Sequence, residues 1–297
     1  MTVHSTAIID PAARVHETVD VGAHCVIDAH VQIDAGCRLY HGVFVTGWTH
    51  IGAQCVLHPG AIVGHEPQDT HHHGGRSYCR VGPRTIIREY VTIHRGTDPE
   101  SETVVGEGCF LLGGCHVAHN CRIGDDVTII NNALLAGHVD VGDRAVISGG
   151  AVIHQFVRIG AFAMIGGNAR VSMDVVPYAM VDVKGRVAGL NTVGLRRAGV
   201  PRTEIEELRQ AFRNLFGRVH GVGRAPGAGD ASDAPDDDRS APGVGGGRAR
   251  SLPFSEAIVR VREQVTTPAG RRLAAFLAAD TPRGVAGGTR RHVSVSG

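Results

Sequence analysis

Residues 121–142 show most plainly the pattern that decides the fold: CRIGDD VTIINN ALLAGH VDVG. The third residue of each group of six is Ile, Leu or Val, and the first is Cys, Val or Ala. A period of six fits neither the 3.6-residue repeat of an α-helix nor the two-residue alternation of a simple strand. It indicates short, flat strands separated by turns, in which each strand sends one large and one small side chain inward.

The same register runs through more than half of the chain. Stepping six residues at a time from Ile9 to Val171 reaches 28 positions, and 25 of them are Val, Ile or Leu. A glycine often follows the apolar residue, and we interpret these glycines as residues that a tight turn requires. The three exceptions fall in two predicted loops: Asp69 and Gly75 in residues 64–80, and Pro99 in residues 97–104. The six-residue phase resumes after each loop.

Composition limits the possible partners and the location of the protein. The 297 residues include 30 Lys and Arg against 29 Asp and Glu, so the charge balance predicts neither nucleic-acid binding nor attraction to an anionic membrane. The first residues lack a basic start followed by an apolar run, and nowhere are there 18 consecutive apolar residues. We therefore expect a cytoplasmic protein without membrane insertion.

The segment 113–124, GGCHVAHNCRIG, carries two histidines three apart between two cysteines six apart. Spacing alone allows a metal site, a helix face or a catalytic pair. The six-residue register places every cysteine at the small inward position, which predicts core side chains and not ligands or disulfides. Before residue 180, and apart from the tract 71–73, no histidine occupies an inward position. The cysteines are Cys25, Cys37, Cys55, Cys79, Cys109, Cys115 and Cys121.

The repeat resembles that of the hexapeptide-repeat acyltransferases, which implies a left-handed parallel β-helix with three hexads per coil of 18 residues. The left hand follows from the resemblance, since parallel crossovers are generally right-handed. Residues 18 apart would then stack on neighbouring coils. One corner gathers a set of outward residues, namely His116, His119, Gly137, His138, His154 and Gln155. His94 falls on another side, so joining it to this corner would need a neighbouring subunit, and we predict a cyclic homotrimer.

Five motifs in order closely resemble the acyl-carrier-protein-dependent UDP-N-acetylglucosamine 3-O-acyltransferases. This resemblance implies transfer of a 3-hydroxyacyl chain from acyl carrier protein to the 3-hydroxyl of the UDP-sugar, at the start of lipid A biosynthesis. Neither a cofactor nor a metal ion is implied. The motifs are Ile93-His-Arg-Gly-Thr97, His116-Val-Ala-His119, Asn131-Asn-Ala-Leu-Leu-Ala-Gly-His138, Ile153-His-Gln-Phe156 and Asn191-Thr-Val-Gly-Leu-Arg-Arg197.

Residue roles follow from the same resemblance. His119 would be the general base, which suits a neutral imidazole at cytoplasmic pH, and the Gly137 N–H would bind the oxyanion. Asn191 and Arg197 would bind the nucleotide, although a helix cap and a solvated charge are the structural alternatives. Gly167 matches a position that limits acyl-chain length. The other substrate-binding candidates are Asp69, His71, His94, His116, His138, His154 and Gln155.

Two residues depart from the family pattern. His71 stands where a nucleotide-contacting lysine is usual, and a neutral imidazole would weaken a phosphate contact; the tract 71–73 could instead collect a metal ion. Asn120 follows the proposed base where many members have Asp. Its amide oxygen can orient His119 but adds no charge to stabilise an imidazolium, which predicts a slower base.

After Pro177 the register fails. We predict a β-helix domain over residues 1–180 and a helical C-terminal domain over residues 181–297. The composition of residues 221–250, rich in Gly, Ala, Asp, Pro and Arg, predicts a disordered linker. Three helices are expected: one opened by a capping box at Thr203-Glu-Ile-Glu206, one over Ser255 to Val265, and one capped by Thr267, with Pro268 in its first turn, running through Ala279.

Three other functions compete with O-acyl transfer. An N-acyltransferase on a related UDP-amino sugar usually has an extra domain before the repeats, whereas the hexads here begin near residue 9. A metal-dependent hydratase of the γ-carbonic-anhydrase type shares the prism and places three zinc-binding histidines between subunits. A non-enzymatic repeat scaffold would leave the column of outward histidines unexplained.

Overall fold

A computed structural model describes residues 2–217 and 252–287. Successive short strands lie on three faces in rotation, so that each coil contributes one strand to each of three parallel sheets. In a regular coil the partner lies 18 residues on, as where Asp20 pairs with Arg38. The predicted left-handed parallel β-helix of hexapeptide repeats, followed by small C-terminal helices, is confirmed.

The strands are numbered in chain order and are grouped below by the face on which they lie. The first face contains β1 (Thr2–Val3), β4 (Asp20–Val21), β7 (Arg38–Leu39), β10 (Val56–Leu57), β13 (Ile86–Ile87), β16 (Phe110–Leu111), β19 (Thr128–Ile129), β22 (Val146–Ile147), β25 (Met164–Ile165), β27 (Ala179–Val181) and β28 (Val187–Leu190). The second face contains β2 (Ile8–Ile9), β5 (Val26–Ile27), β8 (Phe44–Val45), β11 (Ile62–His65), β14 (Thr92–His94), β17 (His116–Val117), β20 (Leu134–Leu135), β23 (Val152–Ile153) and β26 (Arg170–Val171). The third face contains β3 (Arg14–Val15), β6 (Gln32–Ile33), β9 (Trp48–Ile51), β12 (Tyr78–Val81), β15 (Glu102–Val105), β18 (Arg122–Ile123), β21 (Asp140–Val141) and β24 (Arg158–Ile159).

The core is a column inside the prism that continues into the buried faces of the C-terminal helices. Large residues of the register, such as Ile129 and Leu135, are fully buried, and so are small ones such as Ala133. All seven cysteines are buried and free, as the register predicts. Burial also raises the pKa of the Cys115 and Cys121 thiols to about 12, so both are neutral packing groups and not nucleophiles.

The glycines after the apolar positions do not have the role in tight turns that the sequence suggested. Left-handed φ angles occur three residues after the apolar position, as at Asn132 with φ 58° and His138 with φ 60°. Of the glycines that follow the apolar residue directly, only Gly64 has a positive φ. These glycines are needed because the next coil passes very close: a Cβ at Gly142 would lie 2.5 Å from the backbone nitrogen of Ala161. Apart from Gly64, they permit close stacking of coils and do not supply a left-handed φ.

Two loops interrupt the coils at the same corner, between the second and third faces. One connects β11 to β12 and the other connects β14 to β15. Because they lengthen their coils, stacked residues there are no longer 18 apart, and Thr92 pairs with His116, 24 residues later.

The C-terminal elements pack on the end of the prism. β28 pairs antiparallel with β27, and the helices are α1 (Thr192–Arg197), α2 (Arg202–Phe216), α3 (Phe254–Gln264) and α4 (Pro268–Ala278). The predicted boundary at residue 180 falls within β27, and the two-domain division stays a prediction. The linker predicted at 221–250 lies outside the described residues. Within the described ranges no helix combines the length and apolar character needed to cross a bilayer.

Helix starts were predicted with mixed success. Thr267 caps α4 by accepting a hydrogen bond from the Gly270 N–H, with Pro268 in the first turn, as expected. The predicted capping box at 203–206 is wrong: α2 begins at Arg202, and its N-cap, Pro201, has no side-chain cap. The carboxylate of Glu204 instead accepts from the Ala269 N–H at 3.0 Å, so it joins α2 to α4.

Candidate active site

The outward histidines gather along the corner between the second and third faces. The rings of His94 and His116 meet edge to face with centroids 4.8 Å apart, and those of His119 and His138 do so at 5.3 Å. Phe156 lies on the far side of His138, with the two rings stacked at 4.7 Å. The structure therefore brings together in one chain most of the residues expected at this corner.

The expected position of His94 is wrong. His94 ends β14 on the second face, directly beside His116 of the same chain, and not on another side of the prism. The two loops shift the chain so that the 18-residue spacing does not apply between these coils. His94 consequently gives no reason to invoke a second subunit.

The hydrogen bonds of His119 fix which ring nitrogen is free. Its Nδ1 lies 3.0 Å from the Asn120 Oδ1, which also accepts from the Thr97 N–H at 3.0 Å. The Thr97 donor requires the amide oxygen on this side, and an oxygen only accepts. The proton of a neutral His119 therefore sits on Nδ1, and Nε2 carries the lone pair that a general base needs.

A carboxylate faces that lone pair. Asp69, on the loop between β11 and β12, places its Oδ2 3.7 Å from the His119 Nε2. Hydrogen bonds from the backbone and ring of His71 lower the pKa of Asp69 to about 2, so it is ionised at neutral pH. This negative charge lies close to the His119 ring, whereas the amide of Asn120 is neutral.

The surrounding histidines are held neutral. Burial, followed by the nearby rings of His116 and His65, lowers the pKa of His94 to about 4. Burial, followed by His119, likewise lowers the pKa of His116 and of His138. The His116 Nδ1 lies 2.7 Å from the Thr92 hydroxyl. These rings can orient a substrate by hydrogen bonds without adding positive charge around the base.

Gly137 lies against the ring of His119. A Cβ there would come within 2.5 Å of the His119 ring, so no other residue fits without moving the ring. The Gly137 carbonyl accepts from the Phe156 N–H at 3.1 Å, whereas its own N–H donates to no group in the part of the chain that the structure describes. Beyond it, His154 and Gln155 have exposed side chains on the next coil.

Three expected site residues lie away from the corner of His119. Gly167 is exposed in the turn between the first and second faces, where a Cβ would meet only the Gly149 carbonyl, at 3.6 Å. The buried Asn191 uses its amide within the chain, capping α1 at the Gly194 N–H and donating to the Phe162 carbonyl, each at 2.9 Å. Arg197 is exposed on α1. Asn191 thus makes the contacts of a helix cap, which was the structural alternative to nucleotide binding.

The loop histidines are used locally. The His71 ring bonds to Asp69 at 3.0 Å and is largely exposed, and the His72 Nδ1 lies 2.8 Å from the Thr97 carbonyl. Over residues 2–217 and 252–287, no three His, Cys, Asp or Glu side chains are grouped as a metal ion would require.

Sequence reasoning missed Thr97 and Phe156 as site residues. Thr97 orients the Asn120 amide through its backbone, a contact that no residue type reveals. Phe156 adopts a left-handed φ of 63°, a conformation that favours Gly and Asn. Because Tyr90, Phe162 and Tyr178 also adopt left-handed φ angles, an aromatic residue at such a turn did not single out Phe156 in the sequence.

Known proteins match both parts of the chain. Residues 102–137 match the bacterial transferase hexapeptide model of six repeats, and residues 174–226 match the model described as UDP N-acetylglucosamine O-acyltransferase, domain 2. A relative from Caulobacter vibrioides named acyl-(acyl-carrier-protein)–UDP-N-acetylglucosamine O-acyltransferase is 48% identical over 218 residues, which are 73% of this chain and 83% of the relative. The chain belongs to this O-acyltransferase family. A relative of the same name from Thermodesulfovibrio yellowstonii is 43% identical over 72% of this chain and 84% of its own length.

Solved members of the O-acyltransferase family share the whole architecture. The UDP-N-acetylglucosamine O-acyltransferase from Moraxella catarrhalis has a TM-score of 0.81 at 30% identity, covering 96% of this chain and 100% of that one. The Arabidopsis UDP-N-acetylglucosamine acyltransferase has a TM-score of 0.76 at 32% identity, covering 96% and 99%. The resemblance inferred from the five motifs is therefore confirmed.

The lowered pKa of His94 makes a prediction about stability. In the unfolded chain this histidine gains a proton near its ordinary pKa of 6.5, whereas the folded protein resists protonation until about pH 4. The free energy of unfolding therefore falls as the pH drops through this window, by about 2 kcal/mol between pH 7 and pH 5 from this residue alone. In urea titrations, His94→Gln should lose less stability than wild type over that interval. His41→Gln, a change at an exposed position, is the control; an equal loss in His94→Gln and wild type would contradict the assignment.

Proposed function

We propose that the chain transfers a 3-hydroxyacyl group from acyl carrier protein to the 3-hydroxyl of UDP-N-acetylglucosamine, the first step of lipid A biosynthesis. The observation that carries the proposal is the free Nε2 of His119, fixed by Asn120 and facing Asp69. The names of the relatives support the same reaction.

In the proposed reaction His119 acts as a general base. Its Nε2 removes the proton of the sugar hydroxyl while the hydroxyl oxygen bonds to the thioester carbonyl carbon. The carbonyl electron pair moves onto oxygen, and the resulting oxyanion accepts from the Gly137 N–H. When the carbon–sulfur bond breaks, the imidazolium returns its proton to the departing thiolate. Asp69 and Asn120 stabilise and orient the imidazolium between these two steps.

The acyl chain would run across the second face. This face has the histidine corner along one edge and Gly167 at the other. Between them the outward side chains of Leu134 and Val152, on adjacent strands, are 44% and 46% exposed. An acyl chain leaving the thioester would cover them, and its end would reach Gly167.

A complete site would use more than one copy of the chain. Arg197 lies on α1 and not at the corner of His119, so a cyclic homotrimer in which neighbouring copies complete each site would join the two. Arg197 would contact the nucleotide diphosphate, with Asn191 holding the helix that carries it, and His71 would be a weaker phosphate contact. His94, His116, His138, His154 and Gln155 would position the sugar and the thioester arm.

We also place the protein in the cytoplasm. Its seven cysteines are all free, which suits a reducing compartment. Acyl carrier protein, the proposed donor partner, would deliver its thioester to the histidine corner.

The role of His119 can be tested by acyl-transfer assays on His119→Ala with UDP-N-acetylglucosamine and with its 3-amino analogue. Loss of a general base should lower kcat about 10²- to 10⁴-fold. The exposed His41, changed to Ala, serves as the control. Turnover near that of wild type in His119→Ala would rule out the base, and preference for the amine would favour N-acyl transfer.

Gly167 predicts a change of chain-length preference. Its surroundings accept a side chain, and its φ is not in the left-handed region, so Gly167→Met should fold and shift the preferred donor to a shorter acyl chain. Gly189, which also has open space around it, gives Gly189→Met as the matched control. The measurement is kcat/KM against acyl carrier proteins that carry chains of different lengths; an unchanged profile would remove Gly167 from the acyl path.

The homotrimer predicts a mass in solution. Light scattering should give three times the chain mass of 31.3 kDa at micromolar concentration. A monomer that is fully active would show that one chain completes the site.

A further inference from the structure

The end of the described chain returns to the β-helix after α4. The Gly284 carbonyl accepts from the Asp174 N–H and the Ala286 N–H donates to the Asp174 carbonyl, both at 2.8 Å, while Val285 bridges to Asp174. Val285 and Ala286 are buried. This segment therefore extends the third face by one short bridge and places Arg283 beside the turn at residues 154–156.

Arg283 reaches that turn with its guanidinium. Its Nε donates to the carbonyl of Gln155 at 2.8 Å. The Nδ1 of His154 lies 3.3 Å from the same oxygen. Because a carbonyl oxygen only accepts, this arrangement places the His154 proton on Nδ1 and points its Nε2 away from the backbone. One carbonyl thus connects the last segment of the described chain to two candidate substrate-binding residues.

The held peptide continues toward the base. Gln155 is followed by Phe156, whose N–H donates to the Gly137 carbonyl at 3.1 Å. The Phe156 ring stacks on His138 at 4.7 Å. The His138 ring in turn meets the His119 ring at 5.3 Å. Each step is a direct contact, so displacement of the Gln155 peptide would be felt at Gly137 and at His138.

We propose that Arg283 is a positioning residue for the acyl-transfer site: by holding the Gln155 carbonyl, it fixes the turn that presents His154 and Gln155 and that stacks Phe156 on His138. This inference rests on the proposed function. Arg283 does not touch the reacting atoms. A charged donor makes a stronger and shorter hydrogen bond than a neutral one, which suits a group that must hold an exposed turn in one geometry.

The docking of the segment does not depend on Arg283. Asp174, which is fully buried, accepts from the backbone N–H of Arg158 at 2.8 Å and from its Nε at 2.6 Å. The guanidinium of Arg158 lies 4.4 Å over the ring of Phe276 in α4. This buried ion pair and the Asp174 backbone bonds fasten the helices to the prism. Replacing Arg283 should therefore disturb the 154–156 turn and leave the fold intact.

The kinetic test compares Arg283→Ala and Arg283→Lys with Arg260→Ala, a control at an exposed position on α3. We expect kcat/KM for acyl transfer to fall about tenfold in Arg283→Ala, since small misplacement of positioning groups is costly. Arg283→Lys should recover part of the loss because it keeps a charged donor. Melting temperatures should match wild type in all three variants, and Arg283→Ala kinetics equal to those of Arg260→Ala would overturn the proposal.

A second measurement does not depend on activity. In protein labelled at the histidine Cε1, Arg283→Ala should shift the His154 and His138 resonances, assigned by single substitution, and leave those of the distant His4 and His16 in place. Unmoved His154 and His138 resonances would overturn the positioning role even if the rate falls. If wild type transfers no acyl group, the proposed function fails, and the resonances still decide whether Arg283 holds the turn.

Discussion

Backbone hydrogen bonds between successive coils set the position of every other group in the molecule. From β1 to β27 each strand pairs in parallel with the strand one coil away, and the glycines after the apolar positions let the corners approach to backbone contact. An outward side chain is consequently stacked over its counterpart on the next coil. The histidine corner is a consequence of this geometry, because stacking places rings from different coils within contact distance.

The electrostatics of the corner follow from crowding. Several imidazoles close together, partly out of water, cannot all be charged, so burial and mutual repulsion keep His94, His116 and His138 neutral. Asp69, which lies on a loop, instead brings a negative charge to this corner and faces the ring of His119. One histidine thus has a carboxylate within reach of its free nitrogen, which distinguishes it chemically from its neighbours.

The two loops between the second and third faces have a double effect. They bring Asp69 and Thr97 to the corner, and they change the spacing between stacked residues so that His94 joins His116. In the same region Asn120 takes a left-handed φ of 59°, which Asn tolerates well. Asn120 therefore suits its turn, and its amide oxygen orients the His119 ring.

The sequence alone determined the prism, the inward cysteines, the outward histidines and the corner of His119, because these depend on a local six-residue period that each hexad repeats. It also determined the helix started by Thr267 and Pro268, whose cap is made within four residues. Only the tertiary structure decided the position of His94, the contact of Asp69 with His119, the contacts of Glu204 with Ala269 and of Asn191 with Phe162, and the reach of Arg283 to Gln155. Each of these depends on how many residues a loop inserts or on contacts between segments far apart in the chain. No local period encodes such distances, so they appear only when the coils are stacked.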